Sequence, residues 1–152
     1  MTLNATRFGT LEFEQSDILV FNDGLIGFPN LNNFLLISLD ETSPFRWLQS
    51  VDDPAVAFLV AHPEHFFSDY APVVSDSVAA SLELNANSPT LVFTTASIPP
   101  GKPHDLTLNL AGPLVLNAIT RKGKLVVLDD VLYTIKHRVF PEANLDSGQV
   151  AA

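Results

Sequence analysis

Phe45-Arg46-Trp47-Leu48-Gln49, a break at Asp52-Asp53-Pro54, then Ala55-Val56-Ala57-Phe58-Leu59-Val60: this stretch decides the fold class. Each apolar run is only five or six residues long, strand length rather than helix length, and is rich in aromatic and β-branched side chains. Pro54 biases Asp53 toward extended backbone, so the two runs are separate strands joined by a bend. Phe45 and Trp47 share one face and Arg46 and Leu48 the other. The aromatics are the side chains expected to pack in the core.

The pattern repeats outward in both directions. Leu11 and Phe13 alternate with Glu12 and Glu14, and Ile18-Leu19-Val20-Phe21 and Phe34-Leu35-Leu36-Ile37-Ser38-Leu39 precede the central stretch. After it come Leu91-Val92-Phe93-Thr94, Leu106 to Leu110, Leu114-Val115-Leu116, Leu125-Val126-Val127-Leu128 and Val131 to Ile135. Turn residues punctuate these runs. Asn22-Asp23-Gly24 tolerates positive φ, and Arg121-Lys122-Gly123-Lys124 reads as a hairpin tip. Helix is scarce: Pro63 to Phe67 suits one helical turn, and Ser75 to Leu84 a short helix capped by Ser75 or Asp76. The fold class is therefore all-β and mainly antiparallel, a small β-barrel-like domain or a two-sheet sandwich with one or two short helices. Residues 1–141 form that single domain, and 142–152 read as a flexible C-terminal tail.

Composition narrows the function. The chain has 152 residues, 47% apolar and 16% charged, which is one domain's worth and excludes intrinsic disorder. Cysteine is absent, so disulfide scaffolds, thiolate metal sites and cysteine nucleophiles are excluded. The net charge of −9 is concentrated: residues 1–101 carry 12 acids against Arg7 and Arg46 alone, whereas residues 102–152 carry five acids and six bases. Such a chain repels phosphate backbones and attracts basic proteins, so no direct nucleic-acid contact is expected. Met1 to Arg7 lacks the apolar core of a signal peptide. Leu84 to Gly101, the longest uncharged stretch, is too polar and proline-broken to cross a membrane. A cytoplasmic chain with no membrane contact is expected, and nothing in the sequence demands a dimer, so it is expected to be a monomer when free.

No Gly-x-Ser-x-Gly elbow or glycine-rich phosphate cradle occurs. His62-Pro63-Glu64-His65 is the most catalytic-looking segment, and a metal-dependent enzyme using His62, Glu64 and His65 is the first alternative. Pro63 interrupts it, however, and no second ligand cluster lies nearby in sequence. A barrel that carries a small ligand is the second alternative. Elimination favours a binding protein, without catalytic, metal or cofactor residues.

Gly24-Leu25-Ile26-Gly27-Phe28-Pro29, Phe45-Arg46-Trp47-Leu48-Gln49-Ser50-Val51-Asp52-Asp53-Pro54 and Asn109-Leu110-Ala111-Gly112-Pro113-Leu114-Val115-Leu116-Asn117 carry a resemblance beyond composition. They resemble, in order from about Phe8 to His137, the flagellar assembly factor family FliW. The resemblance departs at Leu125 and over Tyr133 to His137. It implies a small β-barrel-like protein with no enzymatic activity and no cofactor. Its partners would be CsrA, the translational regulator that represses flagellin mRNA, and flagellin itself. Antagonism of CsrA would act from outside the RNA surface, and accumulating flagellin would displace CsrA in a partner switch.

For partner contact the candidates are Gln49, Asp52 and Asp53 at the central bend, Glu64 and Asp69 in the acidic segment that follows, and Asn117. Each has a plainer structural role available: turn hydrogen bonds at the bend, solvated surface in the acidic segment, and backbone satisfaction at Asn117. Phe66 and Phe67 form a candidate apolar patch, at least one of them belonging to the core.

Overall fold

The computed structural model describes residues 1–140 apart from Ile26 and Val131. Its strands are β1 (Thr2–Ala5), β2 (Gly9–Glu12), β3 (Leu19–Phe21), β4 (Asn33–Ile37), β5 (Phe45–Ser50), β6 (Ala57–Ala61), β7 (Thr90–Ser97), β8 (Thr107–Leu108), β9 (Leu114–Asn117), β10 (Lys122–Leu125) and β11 (His137–Arg138). One α-helix, α1 (Asp76–Ser81), lies among the described residues, with Ser75 as its N-cap accepting from Val78 N–H. The proposed tail, residues 142–152, lies outside the described residues.

Seven strands run β7-β6-β5-β4-β3-β10-β9, and β9 pairs back onto β7 from Thr90↔Asn117 to Phe93↔Leu114. The sheet is closed, a barrel rather than a sandwich. Closure leaves these strands without an unpaired edge. The pairings are antiparallel except β3 with β10, which is parallel.

Cross-strand rows fill the interior. Leu36, Leu48 and Phe58 stand abreast on β4, β5 and β6, and Phe93, Leu114 and Leu125 on β7, β9 and β10. Phe21, Phe34, Val60 and Leu116 join them in one buried cluster. Gly123 is demanded by this packing, because a Cβ there would strike Leu116 and Phe21. Two further clusters cover the barrel's outside. The β1–β2 hairpin lays Leu3 and Ala5 over Ile18 and Leu35, while Tyr70, Leu106, Leu108 and Leu110 pack on Ala61 with Phe45 and Val92. Tyr70 Oη donates to Leu110 O at 2.6 Å, tying the 62–75 segment to the 106–110 segment.

Several expectations are corrected. The 121–124 turn is not a hairpin tip: Lys122–Leu125 is β10, inserted between β9 and β3, and the reversal falls at 118–121 where Arg121 adopts φ 64°. The 125–128 run leaves the sheet after Leu125, its backbone met singly by Val126 N–H to Pro113 O and Leu128 N–H to Ala111 O. The 131–135 run forms no strand in its described residues, and Leu106 to Leu110 contributes only Thr107–Leu108. On β5 the barrel interior takes Leu48, 1% exposed, rather than the aromatics. Trp47 is half-buried on the outer face against Phe8, with the Arg7 guanidinium 4.3 Å above its ring.

Candidate functional site

The bend after β5 is a hydrogen-bonded clamp. Asp52 reaches back to the start of β4, its carboxylate accepting from Asn32 N–H at 2.7 Å, Asn33 N–H at 2.9 Å and Asn33 Nδ2 at 3.1 Å. Burial pushes the Asp52 carboxyl up, but the Asn33 and Asn32 donors outweigh it and hold it below the usual carboxylate range. Asp53 closes the bend locally, accepting from Ala55 N–H at 3.1 Å while its own N–H donates to Ser50 Oγ. Gln49 is 0% exposed and its Nε2 serves Ser50 O, Pro54 O and Val56 O.

Gln49 therefore offers no surface to a partner, and the same correction applies to Asn117, 2% exposed. Asn117 Nδ2 donates to Leu82 O and Glu83 O at the end of α1, and its Oδ1 accepts from Ile119 and Thr120 N–H. Both are buried amides that satisfy backbone groups which water does not reach. Phe66 and Phe67 are half-buried against the Tyr70–Leu110 cluster, so neither is a free apolar patch.

Glu64 and Asp69 are exposed, with no ion pair or hydrogen bond among the described residues. They do not join Asp52 and Asp53. In the pairing of β5 with β6, Phe45 meets Ala61 at one end and Gln49 meets Ala57 at the other. The two acidic groups thus sit at opposite ends of a hairpin whose strands are roughly 17–20 Å long. At the Glu64 end a polar groove is lined by Glu41, Arg46, His62, Glu64 and His65. Arg46 donates within it to Ser43 O and Phe45 O. His62 stacks on Phe93 at 4.5 Å, and burial, then the Arg46 charge, push its imidazole below its ordinary value. Among the described residues no group of three or more His, Asp or Glu converges as a metal shell. No helix there is long and apolar enough to cross a membrane.

One feature escaped the reading of the sequence. Interior-facing Phe58 and Leu125, with Leu25, floor an apolar cavity of about 450 Å³ at one mouth of the barrel, walled by Val127, Leu128 and Ile135. Thr95 and Asn109 are polar residues in its lining. The cavity exists because β8 and β9 both lie along β7 but leave it between them: Asn109 N–H still reaches Thr95 O, while Ala111 and Gly112 swing away. Its sequence signal was the pair of apolar runs on either side of Asp129-Asp130, of whose described residues only Leu125 is in a strand.

Comparison with known proteins gives concordant results. The family model described as FliW protein matches residues 2–139. A flagellar assembly factor FliW of Magnetococcus marinus is 43% identical over 143 residues, covering 94% of this chain and 87% of that protein. One from Caldanaerobacter subterraneus is 36% identical, covering 93% and 95%. A crystal structure of the flagellar assembly factor FliW superposes with a TM-score of 0.85 at 31% identity, covering 93% of this chain and 99% of that one.

Proposed function

The chain belongs to the FliW family of flagellar assembly factors, and on that premise we propose that it works by binding proteins in the cytoplasm and not by catalysis. Its first partner is CsrA, which it draws off flagellin mRNA so that flagellin is translated. Its second is flagellin, whose accumulation occupies the chain, frees CsrA and lowers translation. Secretion of flagellin reverses the switch. The observation that carries this reading is the placement of charge: ten net negative charges over residues 1–101, among them Glu64 and Asp69 with carboxylates uncommitted to other described residues. A partner whose RNA face is basic is steered to such a surface, which raises association rate more than affinity. Antagonism from outside the RNA surface further requires that the chain bind one state of CsrA several-fold better than the RNA-competent one. Occlusion at the edge of the RNA surface requires no such preference.

Charge reversal tests the surface. Glu64→Lys with Asp69→Lys breaks no described hydrogen bond, so stability should move by less than about 0.5 kcal/mol. Association with CsrA, followed by stopped-flow at low salt, should slow by roughly tenfold and the difference should shrink at high salt. An unchanged rate and an unchanged salt dependence would remove this surface from the CsrA interface. Reversal at Asp52 is the poorer probe, because it also breaks the clamp on β4.

A further inference from the structure

The apolar cavity does not end at its own rim. A smaller pocket of about 150 Å³ adjoins it, the two sharing Thr95, Asn109 and Ile135 in their linings. Leu25, Phe58, Leu125 and Val127 line the larger part alone, whereas Ser97, Thr107 and Lys136 line the smaller. The combination is an apolar chamber with a polar, cationic annex at one end. We propose that it binds a medium-chain fatty acid, the alkyl chain in the chamber and the carboxylate in the annex beside Lys136. This is a function in addition to the binding of proteins and does not depend on it.

The chamber fits the chain. None of the described residues that line it is charged. Val127 and Ile135 are each 69% exposed although aliphatic, and hydrocarbon laid against them removes that area from water. An apolar cavity of about 150 Å³ holds a benzene ring, so about 450 Å³ takes roughly three times as much hydrocarbon. That is one chain of about ten to sixteen carbons, and too little for the two long chains of a membrane phospholipid.

The annex fits the headgroup. Thr95 and Ser97 stand two apart on β7 and share a face, and Ser97 lies opposite Thr107 in the pairing with β8. The three hydroxyls make no hydrogen bond among the described residues, Ser97 is exposed, and neither threonine hydroxyl is sealed from solvent. Lys136 is the one charged side chain among the described residues of either lining, and it forms no ion pair there. One ammonium and three uncommitted hydroxyls match a single carboxylate, which accepts from several donors at once. A phosphate dianion brings a second charge with no second cation to meet it, on a chain whose net charge is already −9.

The test is two-dimensional NMR of the isotope-labelled full chain titrated with sodium decanoate below its micelle-forming concentration. 1-Decanol serves as the uncharged comparison and phosphatidylcholine vesicles as the two-chain lipid. Decanoate should bind saturably at one site, with the largest shifts at Thr95, Ser97, Val127 and Lys136. Lys136→Ala should weaken decanoate about fivefold and decanol less than about twofold, the modest size reflecting an exposed ammonium. Val127→Asp, an exposed position where the fold is tolerant, sets a carboxylate in the chamber wall and should weaken decanoate at least about fivefold. A folded wild-type chain with no saturable shifts, or with shifts away from these residues, would overturn the proposal. Equal decanoate affinity in Lys136→Ala and wild type would do the same, as would capture by the vesicles of a chain that ignores decanoate.

Discussion

Asp52 and Gln49 show how residues clustered at a candidate contact bend also hold the scaffold together. The Asp52 carboxylate is the acceptor for two successive backbone N–H groups at the start of β4, which no other described side chain reaches. Its folded value is depressed below 3.8, so it stabilises the fold above that pH and the contribution is lost as pH falls through the depressed value. Asp52→Asn should therefore be less stable than wild type at pH 7, with the gap closing in acid below about pH 3.8. Urea unfolding of both proteins from pH 7 to pH 2.5 checks it, and a gap independent of pH would show that the charge is not what binds β4. The motif from Phe45 to Pro54 was legible as strand and bend, because alternation and Pro54 are local signals. That Gln49 is covered was not, since one polar residue on the outer face of a strand says nothing about what lies over that face until the partners are known.

At the level of elements, the β5–β6 hairpin and α1 were readable because each carries its own start and stop. The sequence offered Ser75 or Asp76 as the cap, and it is the Ser75 side chain that accepts from Val78 N–H. The β10 strand was misread for a physical reason: Lys122-Gly123-Lys124 has turn composition, yet Gly123 is there for interior packing and not for chain reversal. Asn117 helps hold the end of α1 against the barrel: it donates to Leu82 O and Glu83 O, just past the helix, and accepts from the turn at 119–120. Asn117→Ala should cost on the order of 2–3 kcal/mol, since it orphans buried backbone groups on both sides. Hydrogen exchange should accelerate most over residues 76–84 and 118–121. Exchange that rises uniformly over the barrel instead would assign Asn117 to global packing.

For the whole molecule, closure of the sheet is the property that local patterns do not encode. Strand lengths and punctuation are equally consistent with a sandwich. Only the pairing of β9 with β7 and the parallel seam of β3 with β10 decide for the barrel, and both are long-range. The gap that β8 and β9 leave along β7 holds the apolar cavity, and the β5–β6 pairing sets the Asp52–Asp53 bend and the Glu64 groove at opposite ends of one hairpin. Exposed carboxylates and an apolar cavity thus give one small domain two chemically different features. The most direct measurement is calorimetric titration of the chain into the CsrA of its own organism, repeated with flagellin present. The account predicts binding to CsrA that flagellin suppresses. A folded chain that gives no heat with CsrA, or binds it equally well whether flagellin is present or not, would contradict the switch.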